Sequence, residues 1–448
     1  MSANAVAERL RAGIEAGEFA PFAEAYASEA VLDASVPGSR RRLRTPDDAT
    51  AALAACFPGP GRIVEWNAAI EPAGIAVWVE RVGDDGHAVR QRHYLHVDSD
   101  GRVARHWIYA ARPHTAPPSE PVPEAAEQLF ADLGEIAERV TLASSGWSGN
   151  RIDRLLLADG RALIAKRIVP GSDWLGRATR DPGREALLFA DGLFARMPTT
   201  VDPAIVAAER DGEAWWVVMR DVSAELLDEA TPLTREQNRF VLASAAAMWA
   251  EFWEDDVPHL STQSDRLAFA VPAISERERQ TVDILPKQFE AAWEAFGEAV
   301  DPDVGSAVLE LVDDVTPLAA ALGAHGTTLI HGDLRDENIA LSDGRLVLLD
   351  FGLATLGHPA VELAWYMVHD VWRIAATHDD VVEDFRSALG ERDDPAALEL
   401  GIISGLVQYG WIFGHSAVVH TDPAERQWAR AELAWWVPRV RHALEQWR

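Results

Sequence analysis

The stretch Leu329-Ile-His-Gly-Asp-Leu-Arg-Asp-Glu-Asn-Ile-Ala-Leu-Ser-Asp-Gly-Arg-Leu-Val-Leu-Leu-Asp-Phe-Gly352 concentrates the chain's chemistry-bearing residues. It reads His-Gly-Asp, then Asn338 five residues after Asp333, then a short hairpin whose second strand ends in Asp350-Phe-Gly. Asp333, Asn338 and Asp350 offer hard oxygen donors with no His or Cys cluster beside them, which suits Mg²⁺ rather than zinc. Each residue type is common in loops by itself. The whole set at this spacing, ahead of Asp-Phe-Gly, is a chemical arrangement rather than turn punctuation.

The pattern resembles the aminoglycoside phosphotransferase and choline-kinase superfamily, of protein kinase-like fold, which carries His-Gly-Asp where eukaryotic protein kinases carry His-Arg-Asp. The resemblance implies an ATP- and Mg²⁺-dependent phosphotransferase acting on a hydroxyl of a small molecule. One carboxylate must meet that hydroxyl while an amide oxygen and a second carboxylate hold the metal on the phosphates. Asp333 takes the first role, and Asn338 and Asp350 the second. Lys166, in Ala-Leu-Ile-Ala-Lys, falls where the family has its phosphate-binding lysine. It is one of only two lysines among 41 basic residues, so a compact ammonium rather than a guanidinium at this point is informative. Glu185 would pair with it. The loop Ser144-Ser-Gly-Trp-Ser-Gly-Asn150, with Ser148, Gly149 and Asn150, matches the nucleotide-positioning loop, and Met219 to Asp221 match the adenine-binding hinge. Arg335, two residues after Asp333, either stabilises transferred charge or is a surface arginine. Glu362 stands where the family usually has Asp. Eight residues separate Asp350 from His358, too few for a long activation segment, which favours a small acceptor over a protein. Nucleotidyl transfer on the same fold and a catalytically silent nucleotide sensor are the alternatives; the intact Asp333–Asn338–Asp350 set argues against silence.

The elements that must position these residues are legible as patterns. After residue 124 the expected order is a helix, three strands (141–147, 151–158, 162–168), a helix (184–196) and two strands (204–208, 215–221), followed by long helices. This is a sheet lobe over 124–221 and a helical lobe over 222–448. Before it, His114-Thr-Ala-Pro-Pro-Ser-Glu-Pro-Val-Pro-Glu124 reads as a Pro-rich linker at 114–123. If so, residues 124–448 fold alone. Residues 1–113 show helices at 3–17, 20–30 and 46–57, then strands at 62–70, 74–82, 88–97 and 102–111. This α+β order, with Arg92-His-Tyr-Leu-His-Val-Asp-Ser-Asp-Gly-Arg-Val-Ala-Arg-His-Trp107, resembles the nuclear transport factor 2-like (SnoaL-like) cone fold. The resemblance implies a pocket, with Asp33, His93, His96, His106 and Trp107 as candidate lining, and a homodimer formed through the sheet. The Arg40-Arg-Arg-Leu-Arg44 run is expected to be a solvated turn.

Composition sets outer limits. The 448 residues carry 41 basic and 71 acidic side chains, a net charge of −30, which disfavours nucleic acid and anionic membrane as partners. Nearly all of that excess lies after residue 115, where it either favours a cationic acceptor such as an amino sugar or choline-like amine, or only keeps the protein soluble, the acceptor then being a neutral sugar or a macrolide held by tryptophans. Cys56 is the lone cysteine, so no internal disulfide forms. With no signal-peptide pattern and no run of 18 apolar residues, a cytoplasmic protein is expected.

Overall fold

The structure is a computed structural model that describes residues 2–447 except 37–38, 44, 58, 72–73, 84–87, 99, 111–123, 143–150, 228–231, 280, 282–284 and 421–422. The expected linker 114–123 and the residues Ser148, Gly149 and Asn150 therefore lie outside the described residues. The chain divides into two compact units: residues 1–120, 275–299 and 412–433 form one, and residues 121–274, 300–411 and 434–448 the other. Residues 275–299 and 412–433, placed in the helical lobe by sequence, thus group with the amino-terminal region.

In the first unit, the helix Ala3–Ala16 starts where the Ser2 hydroxyl accepts the Ala5 N–H and stops at Gly17, whose φ of +70° a side chain would resist. A Cβ there would also fall 1.9 Å from the Gly59 carbonyl oxygen. A second helix, Pro46–Cys56, is capped by Thr45 with proline in its first turn. The strands are β1 (Tyr26–Val36), β2 (Ser39–Leu43), β3 (Gly61–Glu71), β4 (Gly74–Gly83), β5 (Ala88–Val97) and β6 (Val103–Ala110), in sheet order β2-β1-β6-β5-β4-β3. All pairs are antiparallel except β1 with β6. Val6, Leu10 and Ile14 on the first helix share one core with Phe22, Leu53, Phe57, Val77, Leu95 and Ile108. Two sequence expectations fail here. Residues 20–30 are not one helix but a short 3₁₀ turn, Ala20–Ala25, leading into β1, and residues 40–43 of the arginine run lie in strand β2 rather than a turn, Arg44 being outside the described residues. The alanines of Tyr26-Ala-Ser-Glu-Ala favour helix by propensity, and pairing with β6 overrides it.

The second unit opens with the helix Glu124–Leu133, shorter than its sequence pattern because Gly134 turns at φ +131° into β7 (Ile136–Leu142). With β8 (Arg151–Leu157), β9 (Ala162–Ile168), β11 (Ile205–Asp211) and β12 (Ala214–Arg220) it forms an antiparallel sheet of order β11-β12-β9-β8-β7. The short β10 (Val201–Asp202) instead joins the hairpin β15 (Ile339–Ser342) and β16 (Arg345–Leu348). A third small sheet, of β13 (Ser261–Thr262), β17 (Thr355–Gly357) and β14 (Thr328–Ile330), brackets the loop that carries Asp333. Where the sequence pattern runs on as one long helix, the structure has two, Pro302–Asp313 and Thr316–Gly323, broken where Pro317 opens the second. The helix Pro395–Val418 has the length and composition of a membrane span, yet 72% of its most apolar window is buried in the protein, as for a core helix.

Candidate active site

Strand β9 is central in its sheet, and Lys166 sits opposite Ile152 on one side and Val217 on the other. Its ammonium lies 2.8 Å from Asp350 Oδ1 and 3.3 Å from Glu185 Oε2. Glu185 reaches it from the first turn of the helix Arg184–Ala190, whose start Asp181 fixes by accepting the Arg184 N–H at 2.6 Å. Glu185 Oε1 accepts the Phe351 N–H at 3.3 Å, so one buried carboxylate ties the lysine to the Asp-Phe-Gly turn. Burial alone would pull the lysine down, but Asp350 and Glu185 outweigh it and hold the ammonium above its ordinary value. Burial pushes Glu185 up. Asp350 feels burial in the same direction, and the Lys166 charge reverses it and holds the carboxylate below its usual range.

Asp350 adopts left-handed backbone, φ +61° and ψ +75°, an uncommon state for a non-glycine residue that orients its carboxylate at the turn. Oδ1 accepts the Gly352 N–H at 3.2 Å, and the side chain stays 46% exposed while its lysine partner is 10% exposed. An oxygen donor open to solvent beside a buried cation suits the binding of a phosphate-bound metal.

The loop after β14 turns at Gly332, φ +79°, where a Cβ would meet the Leu353 carbonyl oxygen at 2.0 Å. Asp333 follows. Its Oδ2 accepts from Asn338 Nδ2 at 2.7 Å, its Oδ1 from the Trp365 indole N–H at 2.9 Å, and Arg335 Nε lies 3.2 Å from Oδ1. Asn338 Nδ2 also donates to the Asp333 carbonyl at 2.9 Å, which leaves Oδ1 as the amide atom able to serve a cation. Arg335 forms a second ion pair with Glu337. Burial raises Asp333, but the opposing charges, Arg335 first among them, outweigh it, so the carboxylate sits below its usual range and is ionised at neutral pH. Buried His331 accepts the Asp333 N–H at Nδ1, 3.3 Å away. Its Nε2 contacts the Leu349 carbonyl at 2.9 Å, and its ring meets Phe351 edge-on at 4.7 Å.

Glu362 anchors this loop from below. On the helix Pro359–Asp370 it accepts the backbone N–H groups of His331 (3.1 Å) and Gly332 (2.6 Å) and the Trp249 indole N–H (2.9 Å). Sequence reasoning flagged the residue only as a departure from Asp. It missed Trp365, three residues on, and Arg266, whose Nε donates to the Gly332 carbonyl at 2.8 Å. It also missed Arg184, which donates to the carbonyls of Gly352 and His259. The i, i+3 spacing of Glu362 and Trp365 was the available signal.

Met219 lies in an apolar cluster with Ile168, Ala186, Val217 and Ala340, in register with Ile164. Asp221 donates its backbone N–H to Ala162 (3.1 Å), and its carboxylate accepts from Arg154 (2.6 Å) and Ser223 (2.5 Å). That N–H is thus already used within the sheet. In the first unit, His93 and His106 do come together, as described below. His96 is half-buried, and its ring lies edge-on to His415 at 6.5 Å. Asp33 and Trp107 are backbone partners in the β1–β6 register.

Residues 139–400, more than half of the chain, match the family model described as the phosphotransferase enzyme family, APH. The chain belongs to this family. The phosphotransferase has no match among the curated proteins. Among solved structures it is similar to an aminoglycoside phosphotransferase from Alicyclobacillus acidocaldarius, at 14% identity over 69% of this chain and 91% of that one, TM-score 0.40. It is similar also to a choline kinase from Streptococcus pneumoniae, at 15% identity over 71% and 96%, TM-score 0.39. A third is an aminoglycoside phosphotransferase from Streptomyces rimosus solved with ADP and streptomycin, at 16% identity over 62% and 96%, TM-score 0.39. At these scores membership stands on the family match.

Proposed function

We propose that this phosphotransferase moves the γ-phosphoryl group of ATP to a hydroxyl of a small molecule, with Asp333 as the group that orients and deprotonates that hydroxyl. The observation that carries the reading is the pairing of two assemblies in one unit: Lys166 clamped between Glu185 and Asp350, and Asp333 held by Asn338 and Trp365. Lys166 supplies a fixed cation for phosphate oxygens. Asp333, ionised and held through both oxygens, can accept a proton without first being freed from water. Asn338 and Asp350 are hard oxygen donors and fit Mg²⁺, which when bound neutralises phosphate charge. Arg335 lies beside the base and can answer charge on the transferred group.

The test is incubation of the full chain with ATP, MgCl₂ and a panel of hydroxylated metabolites, with nucleotide products resolved. ADP formed only with an acceptor supports the reading. AMP with pyrophosphate would replace it with nucleotidyl transfer, and tight ATP binding without turnover on any acceptor would replace it with a sensor.

We also propose that residues 1–113 form a nuclear transport factor 2-like domain that pairs two copies through its sheet. The six-stranded mixed sheet with the helix Ala3–Ala16 against β3 and β4 supports it. Light scattering on the purified protein checks the pairing; a monomer at micromolar concentration rules it out.

A further inference from the structure

Three side chains around the base have polar atoms that the fold buries and does not use. Arg266 is fully buried and spends only Nε, on Gly332; Nη1 and Nη2 have no hydrogen-bond partner among the described residues. Asp370, also fully buried, accepts the Asp336 N–H through Oδ1 at 3.2 Å, and its Oδ2 has no partner among the described residues. His369 Nε2 is buried and likewise has no partner among the described residues. An orphaned buried polar atom carries an uncompensated desolvation cost, so several beside the Asp333 carboxylate suit a ligand that satisfies them.

The same residues set the sign of that ligand's charge. The Arg266 guanidinium carbon sits 4.2 Å from the centroid of Trp365 and 4.8 Å from that of Phe269. Trp365 is the ring whose N–H holds Asp333, and His369 (4.3 Å) and Tyr409 (6.0 Å) pack against it. An aromatic wall of this kind attracts an ammonium when its faces are free. Here an internal cation, Arg266, already occupies a face, while Arg335 beside Asp333 is paired with Asp333 and Glu337. Burial lowers Arg266 to about 10, still charged at neutral pH, and keeps His369 uncharged.

Resting on the phosphotransfer reading above, we infer that the acceptor subsite formed by Arg266, Trp365, His369, Asp370 and Tyr409 takes a neutral, hydroxyl-rich, sugar-like alcohol rather than an amine. Hydroxyl oxygens accept from the two free guanidinium nitrogens, and hydroxyl hydrogens answer Asp370 and His369. The C–H face of a sugar ring suits Trp365 and Tyr409, whereas an ammonium on Trp365 would lie against the Arg266 guanidinium. The acid excess of the chain as a whole acts at long range and is screened by salt; these contacts act at contact distance.

The experiment compares matched pairs on the full chain with ATP and MgCl₂: glucose against glucosamine, and myo-inositol against 2-deoxystreptamine, with ADP as readout. The neutral member of each pair is expected to show at least tenfold higher kcat/KM, with a KM that stays within twofold between 20 and 200 mM NaCl. Arg266→Met keeps the stem and removes the charge; it should raise KM for the neutral acceptor about tenfold, leave KM for ATP unchanged and shift the pair ratio toward the amine. Should that variant fail to fold, the wild-type pair ratios and their salt dependence decide alone. Amines outperforming their neutral partners, with KM rising as salt is added, overturn the inference while leaving phosphotransfer intact. Intact ATP binding with no ADP from any acceptor overturns the phosphotransfer reading, and the inference with it.

Discussion

Asp333 is held through both oxygens, by an amide and an indole, and flanked by a guanidinium. Asp333→Asn removes the proton acceptor and turns an NH₂ group toward one of the two donors that hold it, so kcat should fall by about 10²–10⁴-fold while ATP affinity, read by calorimetry, stays within a few-fold. Trp365→Phe is the milder probe. It keeps a ring in the wall and removes one hydrogen bond to a charged group, worth about 1.5–3 kcal/mol, so kcat should drop roughly tenfold or more. Arg335 also sets the pH response. Burial alone would raise the Asp333 carboxyl, and Arg335 is the leading opposing charge. The base form is therefore present above a pKa lower than usual and is lost only as pH falls through it. Arg335→Gln takes that charge away, the pKa rises, and the acid limb of the kcat profile should move to higher pH. A limb that stays in place would show that Arg335 does not set the ionisation of the base.

One helix face carries much of the site. On Pro359–Asp370, Glu362, Trp365, His369 and Asp370 lie at i, i+3, i+7 and i+8, so a single stripe anchors the loop and lies beside Asp333. Glu362→Gln puts an NH₂ group where a backbone N–H needs an acceptor, at a cost of about 1–3 kcal/mol, and should lower the melting temperature and kcat together. Unchanged melting would show that the loop is held elsewhere. At this scale the sequence was legible where chemistry imposes spacing. Asp333, Asn338 and Asp350 are tied to short loops, and Lys166 and Glu185 lie on elements whose periodicity is plain; the structure brings the last two together. What sequence did not show depends on tertiary neighbours. Arg266 approaches Gly332 from 66 residues away, and no local pattern marks it. Strand β1 was hidden by alanines, and the use of the Asp221 N–H by Ala162 follows from strand register, which propensity does not encode.

Across the molecule, the first unit has an acid-sensitive interior. Tyr26 O–H reaches His106 Nδ1 at 2.5 Å, and the other ring nitrogen of His106 lies 3.0 Å from His93 Nδ1, all three residues being essentially inaccessible. Burial lowers His93 from 6.5 to about 3 and His106 in the same direction. The folded state thus holds both rings neutral while the unfolded chain takes up protons below about pH 6.5. Their contribution to stability is complete above that pH and is lost as pH falls toward 3, by about 1.4 kcal/mol per pH unit for each ring in the middle of the window. Urea denaturation of the full chain at pH 7, 5.5 and 4.5, followed by tryptophan fluorescence, should show a falling midpoint. Replacing His106 with Phe should flatten that dependence, and an equally steep slope in the variant would assign it to other groups.

The division of the chain also changes what truncation should do. A linker at 114–123 taken by itself invites cutting the protein there and expecting residues 124–448 to stand alone. Yet the compact unit that contains residues 1–120 also contains 275–299 and 412–433, and the chain passes between the two units five times. Within that unit His415 lies edge-on to His96 of β5, and Gly414 packs so closely on Phe296 that a Cβ would fall 2.3 Å from its backbone. Removing residues 1–123 therefore deletes part of a shared unit and leaves the segments 275–299 and 412–433 without the sheet they cluster with. Apolar faces left without their partners favour aggregation. The fragment 124–448 is accordingly expected to be poorly soluble, or to melt several degrees below the full chain, and co-expression with residues 1–120 should recover it. A fragment that is soluble, monomeric and melts with the full-length protein would show instead that the amino-terminal region is an appendage to an autonomous kinase-like body.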